Sequence, residues 1–161
     1  MIPAISMACA LIARPNFEGC RLKPYVCPAG YWTIGIGSRF LADGSEVNAH
    51  TPAITHDTAL SLLANTGAVA YKALKEMVIV PLTDHQTAAL LSWMYNVGIT
   101  NARTSTLVRF LNQKKYLAAA DQLLVWDKDH VDGKLETVEG LLNRRRIERL
   151  YYLTADTPAS V

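Results

Sequence analysis

The sequence predicts an α+β fold, mainly α, in which one long helix joins a small β-hairpin lobe to a larger helical lobe. Glycine and proline concentrate in residues 15–54, where short β-prone stretches alternate with turns. From residue 55 onward the apolar residues follow a helical period almost without a break. We expect the 161 residues to form a single domain, with the small lobe at about 15–54, the helical lobe at about 55–153 and a frayed tail at 154–161.

The first element is an apolar segment, Ile2 to Ala13, that ends before Arg14. It is too short for a membrane span, which needs about 20 residues, and no basic segment precedes it as in a signal peptide. We interpret it as a core-facing helix of the helical lobe and expect no stable insertion into a membrane. A degenerate export segment is the alternative. Glu18 is expected at the end of this helix, with Gly19 as its stop.

The small lobe is expected to contain a strand through Ile34 and Ile36. Gly35 and Gly37 alternate with these isoleucines, so one face of the strand is predicted to carry no side chains. A bare strand face would let a flat substrate approach the backbone closely.

The long helix is predicted to begin after Thr55, a suitable N-cap, and to end before Pro81. Its apolar face is predicted to hold Leu60, Leu63, Gly67, Tyr71, Leu74 and Val78. Because glycine weakens a helix by about 1 kcal/mol relative to alanine, Gly67 indicates close packing against another element.

The helical lobe is predicted to begin with a capping box, formed by Thr83 and Gln86. The run from 87 to 97 is apolar nearly all round, which is typical of a helix at the centre of a bundle. Shorter helices are expected at 106–111, 116–126 and 141–153, and Trp93 and Trp126 are assigned to the core.

Composition excludes several kinds of protein. The chain is 50% hydrophobic and 19% charged, as in soluble globular proteins, and its net charge of +2 is too small to indicate a nucleic-acid partner. Cys9, Cys20 and Cys27 are odd in number and lack C-x-x-C spacing, so neither a disulfide framework nor a zinc site is indicated. The four histidines lie far apart, and we predict neither a metal nor a cofactor.

Glu18 is the candidate general acid. It follows Phe17, and a carboxyl group in apolar surroundings keeps its proton to higher pH, as a general acid working near neutrality requires. From the residues alone, an ordinary surface position at a helix end is the alternative.

The segments around Glu18 and after it carry a resemblance to a known family. Glu18, Cys27 and Thr33 have the spacing E-x8-C-x5-T, within the segments FEGCRLKPY and WTIGIG. Four further motifs follow in order: Leu82-Thr-x-x-Gln, Tyr95-Asn-Val-Gly, Ser105-Thr-Leu and Gly140-Leu-Leu-Asn-Arg-Arg. This pattern, over about residues 10–153, resembles the Glu–Asp/Cys–Thr triad and signature of the phage lysozymes of the T4 type.

The resemblance implies a lysozyme-like fold and an endolysin that lyses the host cell. Its reaction would be hydrolysis of the β-1,4 bond from N-acetylmuramic acid to N-acetylglucosamine in peptidoglycan. Glu18 would protonate the glycosidic oxygen and Thr33 would orient the attacking water. For Cys27, in place of the aspartate of the best-known members, we favour water positioning or partial thiolate base over a nucleophilic role; a thiol that only lines the cleft is the alternative. Ser38 and Arg39 also depart from the family pattern.

The resemblance also implies contacts with the sugar chain, each with a structural alternative. The residues concerned are Trp32, Tyr95, Asn96, Ser105, Arg144 and Arg145. Trp32 and Tyr95 could equally belong to the core, and Ser105 could be a helix N-cap. The two arginines could lie on a solvated basic face or pair with Glu148.

The expected partners are peptidoglycan glycan strands, reached with the help of a holin, and the chain is expected to act as a monomer. It would stay in the host cytoplasm until release and then act in the periplasm and cell wall. Two other functions stay open from the sequence: a lytic transglycosylase, which also relies on one glutamate, and a catalytically impaired lysozyme-like protein that binds the wall.

Overall fold

The computed structural model describes residues 2–155. Its elements in this range are α1 (Pro3–Ile12), β1 (Arg21–Val26), β2 (Trp32–Gly35), α2 (His56–Met77), α3 (Asp84–Val97), α4 (Ile99–Arg103), α5 (Thr106–Asn112), α6 (Tyr116–Leu123), β3 (Lys128–Val131), β4 (Lys134–Thr137) and α7 (Glu139–Leu153). The α+β, mainly α, prediction is confirmed. The predicted frayed tail falls, from residue 156 on, outside the described residues.

Helix α1 is a core helix, as predicted. Pro3 occupies its first turn, where a missing N–H costs nothing. Ile5, Leu11 and Ile12 are buried, and the helix packs against α3 and α2. No helix within residues 2–155 combines the length and the apolar character needed to cross a membrane.

The prediction that Glu18 ends this helix is wrong. Helix α1 ends at Ile12, and a series of turns follows because Pro15 has no N–H to continue the helical hydrogen bonds. Glu18 lies in these turns, with its backbone N–H donated to the carbonyl of Ile12 at 3.4 Å. Gly19 has a φ of +66°, so it turns the chain into β1 rather than stopping a helix.

Helix α2 is the long helix that the sequence predicts. Thr55 caps it by accepting a hydrogen bond from the N–H of Thr58 at 3.1 Å. Gly67 lies against α1, where a Cβ would stand 3.2 Å from Cγ2 of Ile5, so the predicted close packing is confirmed. Leu60 was predicted to lie on the buried face of α2, but it is exposed. The buried face instead runs through Ala59, Leu62 and Leu63.

Helix α3 forms the centre of the helical lobe, as predicted. Both hydrogen bonds of the capping box are present: Gln86 N–H to Thr83 Oγ1 at 3.1 Å, and Thr83 N–H to Gln86 Oε1 at 3.0 Å. Every residue from 87 to 94 is buried. Trp93 packs edge-on against Trp126 with ring centroids 5.6 Å apart, which confirms the core assignment of this pair.

The small lobe is built on the β1–β2 hairpin. Tyr25 pairs with Thr33 in antiparallel register, and Ile34 packs with Val47 and with Leu62 of α2 in a small core of its own. The predicted bare strand face does not exist. The strand ends at Gly35, and a tight reversal joins Ile34 to Ser38. The two glycines of this reversal, at positions 35 and 37, have φ of +65° and +75°, so they serve the turn.

The second hairpin, β3–β4, was not predicted. Asp132 and Gly133, with φ of +50° and +78°, form its two-residue turn between Val131 and Lys134, which are paired. All eight strand residues are exposed. The hairpin connects α6 to α7 and brings β3 to the edge of the cleft described next.

Candidate active site

A cleft of about 870 Å³ brings the three predicted catalytic residues together. Glu18 reaches it from the turns after α1, Cys27 from the loop of the first hairpin and Thr33 from β2. The full lining comprises Glu18, Arg21, Tyr25, Cys27, Pro28, Ala29, Tyr31, Thr33, Gly37, Arg39, Tyr95, Asn96, Asp129 and His130. The small lobe, the end of α3 and the second hairpin therefore each supply part of the wall.

The Glu18 carboxyl group has two different oxygens. Oε1 accepts a hydrogen bond from Nη1 of Arg144 at 2.8 Å. Oε2 lies beside Gly37, where a Cβ would come within 3.4 Å of it. The surroundings are thus charged as well as apolar, which corrects the purely apolar environment that the sequence predicts. Phe17 still contributes, because its ring stacks against the Arg144 guanidinium at 4.7 Å.

Arg144 belongs to a buried ionic network that fixes its position. Its Nε donates to Oε1 of Glu148 at 3.1 Å, and its Nη2 donates to the carbonyl oxygen of Ser92 at 3.1 Å. The Ser92 hydroxyl donates to the same Glu148 oxygen at 2.7 Å. Burial raises the pKa of Glu148, and the neighbouring arginines Arg145 and Arg144 oppose that shift. The expected pairing of these arginines with Glu148 is confirmed.

Arg145 does not face the cleft. It is fully buried in ionic contact with Glu148 at 3.0 Å, and burial lowers its pKa to about 10. Its Nη2 donates to Oδ1 of Asn96, which does line the cleft. The predicted contact of Arg145 with a substrate is therefore wrong. Arg145 instead orients the side-chain amide of Asn96, which lines the cleft.

Cys27 lies half-buried at the turn that follows β1. Its backbone N–H donates to the carbonyl of Tyr31 at 2.9 Å and its carbonyl accepts from Gly30 at 2.8 Å, which closes the hairpin loop. The Tyr31 backbone N–H is the main group that lowers the pKa of the Cys27 thiol. A donor of this kind stabilises the thiolate. The described residues hold no group of three or more His, Cys, Asp or Glu side chains suited to a metal ion.

Thr33 lines the cleft, and its side chain has little conformational freedom. It is 3% exposed, and its Oγ1 donates to the carbonyl of Tyr31 at 3.0 Å. Because its only proton is used in this bond, the oxygen is left to accept a hydrogen bond from another group.

Of the other residues predicted to contact the sugar chain, Tyr95 and Trp32 line cavities at the site, whereas Ser105 does not. Tyr95 lines the cleft and donates its hydroxyl to the carbonyl of Ile36; burial raises the pKa of this phenol. Trp32 lines a smaller adjoining pocket of about 160 Å³. Ser105 is buried away from the cleft, where its Oγ accepts from the N–H of Val108 at 3.2 Å. It is an N-cap, and the expected sugar contact is not supported.

Sequence reasoning missed several lining residues. Asp129 and His130 come from the second hairpin, whose signal was the Asp132-Gly133 pair between two strand-length segments. Tyr31, which has half of its surface exposed, also lines the cleft and is not among the predicted site residues.

The comparisons with known proteins agree with this geometry. The family model described as phage lysozyme matches residues 15–148. The endolysin of Salmonella phage P22 is 39% identical over 137 residues, covering 85% of this chain and 90% of its own. The endolysin of Acyrthosiphon pisum secondary endosymbiont phage 1 is 34% identical over 145 residues, covering 90% of this chain and 95% of its own. The solved endolysin from Escherichia coli O157:H7 phage FAHEc1 has a TM-score of 0.82 at 31% identity, covering 98% of this chain and 95% of its own.

The chain belongs to the phage lysozyme family. It is a glycoside hydrolase of the peptidoglycan-hydrolysing, endolysin kind, so the function predicted from the sequence is confirmed at this level.

Proposed function

We propose that this endolysin cleaves the β-1,4 bond from N-acetylmuramic acid to N-acetylglucosamine, with Glu18 as general acid. The observation that carries the proposal is the asymmetry of the Glu18 carboxyl group. Arg144 occupies Oε1, and Oε2 stands beside Gly37 in the cleft wall. A proton on Oε2 is therefore directed toward a sugar in the cleft.

Proton transfer and water addition complete the reaction. The Oε2 proton passes to the glycosidic oxygen, the bond to the anomeric carbon breaks, and the positive charge spreads over an oxocarbenium-like transition state. Water then adds to the anomeric carbon, and the proton that it loses returns through solvent to the Glu18 carboxylate, which restores the acid. The Thr33 oxygen, whose own proton is donated to Tyr31, accepts a hydrogen bond from this water and orients it.

Cys27 assists on the same side of the cleft as Thr33. The Tyr31 N–H lowers the pKa of its thiol and so favours the thiolate, in which the sulfur carries negative charge. Such a sulfur attracts a proton of the water and the positive charge of the transition state. A covalent bond from sulfur to sugar is not part of the proposal, because a thioglycoside would be slow to hydrolyse.

We propose that the enzyme acts as a monomer and as a single domain, since one copy of the chain already supplies Glu18, Cys27 and Thr33 to the cleft. For the cellular route we propose that the protein gathers in the host cytoplasm, a holin opens the inner membrane, and the enzyme reaches the cell wall. Retention of lysis by cells that express the chain without a holin would contradict this route.

The test is digestion of purified peptidoglycan followed by mass spectrometry of the new sugar ends. Hydrolysis yields reducing N-acetylmuramic acid, whereas a lytic transglycosylase yields the anhydro sugar.

Glu18→Gln keeps the shape of the side chain and its acceptor for Arg144 but has no proton to transfer. We expect it to lose activity by about 10²–10⁴-fold with the fold intact. Residual activity above about a tenth of the unmodified enzyme would exclude the general-acid role, and inactivity of the unmodified protein would indicate a wall-binding protein.

A further inference from the structure

Arg39 stands where two cavities meet. It lines the catalytic cleft and an adjoining cavity of about 570 Å³, and the two cavities share Gly37 and Tyr95 as well. The adjoining cavity runs along α2 and the end of α3, with Val69 and Ile99 in its lining. A glycan strand that extends from the cleft into this second cavity must pass the Arg39 side chain.

The Arg39 guanidinium is held in place by aromatic rings. Its Cζ lies 3.6 Å from the centroid of the Tyr31 ring and 5.8 Å from that of Phe40. The backbone is fixed too, because the carbonyl of Arg39 accepts from the N–H of Val47 at 2.9 Å. Stacking uses the face of a guanidinium and leaves the N–H groups at its edge to donate.

The charge of Arg39 is not paired within the described chain. None of the ion pairs among residues 2–155 includes it, whereas Arg144 and Arg145 are both compensated by Glu148. A planar cation with a fixed face and free donors is the group that binds a carboxylate through two parallel hydrogen bonds.

We propose that Arg39, stacked on Tyr31, binds a carboxylate of the wall polymer and so gives the cleft its specificity for muramic-acid-containing strands. The proposal rests on the function proposed above. The carboxylate has two sources in peptidoglycan: the lactyl group of N-acetylmuramic acid where no peptide is attached, and the acidic residues of the stem peptide where one is.

The test is a binding titration in the Glu18→Gln background, in which the ligands are not cleaved. Three oligosaccharides of equal length serve as probes: peptide-free glycan with free lactyl groups, glycan with stem peptides, and an N-acetylglucosamine oligomer without any carboxylate. We expect Arg39→Gln to weaken binding of a carboxylate-bearing probe by about tenfold, since hydrogen bonds to a charged group contribute on this scale. Binding of the N-acetylglucosamine oligomer should not change.

Arg103→Gln is the matched control, because it removes the same charge from an exposed arginine outside both cavities. Loss with the peptide-free glycan alone identifies the lactyl carboxylate, and loss with the peptide-bearing glycan alone identifies the stem peptide. Equal losses for Arg103→Gln, or for the N-acetylglucosamine oligomer, would overturn the proposal. So would unchanged binding of both carboxylate probes. The two proposals fail in different ways: cleavage of the probes by the Glu18→Gln enzyme would contradict the general-acid role, whereas uncleaved probes with unchanged binding would contradict only the role of Arg39.

Discussion

Arg144 joins the carboxyl group of Glu18 to the buried core of the protein. Its Nη1 donates to Glu18 Oε1 at 2.8 Å, and its Nε donates to Glu148 Oε1 at 3.1 Å. The turns after α1 that carry Glu18 are irregular, and this contact gives them a fixed point on α7. The orientation of Glu18, the proposed general acid, therefore depends on a residue that does not itself line the cleft.

We expect Arg144→Lys to lower kcat by up to about 10²-fold, because a small displacement of a catalytic group has effects of this size. A lysine keeps the charge, but it cannot donate to Glu18, Glu148 and the Ser92 carbonyl at once. KM should change little, since Arg144 makes no part of the cleft lining. Steady-state kinetics on soluble glycan fragments measure both constants. A raised KM with an unchanged kcat would show that Arg144 binds substrate instead.

Glu148→Gln should lower the free energy of unfolding by about 3–5 kcal/mol, the usual effect of removing one partner of a buried ion pair. Glu148 is completely buried between Arg144 and Arg145, and its loss leaves Arg145 without a counter-charge and Arg144 with Glu18 alone. Urea denaturation measures the change. Glu139→Gln on the same helix is the control, because its contact with Arg146, at 3.7 Å, is exposed to solvent. That substitution should cost less than about 1 kcal/mol, and equal effects would contradict the argument.

Gly37→Ala should reduce activity far more than stability. A Cβ at this position would stand 3.0 Å from the Tyr95 hydroxyl and 3.4 Å from Glu18 Oε2, so the acid or its neighbour must shift. Gly44→Ala is the control, because Gly44 also has a positive φ, +83°, but open space around it. Both substitutions strain the backbone by about 1 kcal/mol or more. Lysis assays measure the activity of the two variants, and thermal unfolding measures their stability. Equal activity of the two variants would exclude the steric effect at the site.

Much of the helical lobe could be predicted because its signals are local. The Thr83–Gln86 capping box and the Thr55 cap are hydrogen bonds within one turn of chain, and the structure contains both. Helix α2 also ends before Pro81, at Met77. Gly67 is informative for a similar reason: a glycine inside a long helix has few explanations other than close packing. The spacing of Glu18, Cys27 and Thr33 identified residues that do meet in one cleft.

The errors arise where tertiary contacts decide the outcome. Arg145 is charged and follows two other polar residues, and nothing local shows that Glu148 and Asn96 compensate its burial. The spacing of Gly35 and Gly37 fits a strand and a turn equally well, and only their positive φ decides. The β3–β4 hairpin has exposed strands without apolar alternation, so its Asp-Gly turn was the single usable sign.

Substitutions of Cys27 separate the possible roles of the thiol. If the sulfur supplies negative charge or holds the water, Cys27→Asp should be as active as the unmodified enzyme or more so, because a carboxylate is ionised at pH 7. Cys27→Ser should then lose some activity and Cys27→Ala more. The exposed thiol of Cys20, which is not part of the cleft lining, provides the control: Cys20→Ser should have no effect. Activity of Cys27→Ala close to that of the unmodified enzyme would show that the thiol only lines the cleft.

The pH dependence tests the thiolate directly. The Tyr31 N–H lowers the pKa of Cys27, so the thiolate should form at a lower pH than it would on an unperturbed cysteine. If the thiolate acts, kcat/KM should rise as pH increases through this lowered pKa, while Cys27→Asp should show no such rise between about pH 6 and 9, where its carboxylate stays ionised. Alkylation should inactivate the enzyme in parallel with thiolate formation, measured in a Cys9→Ala, Cys20→Ala background so that only Cys27 reacts. The same rise in Cys27→Asp would assign it to another group and leave the neutral thiol to position the water beside Thr33.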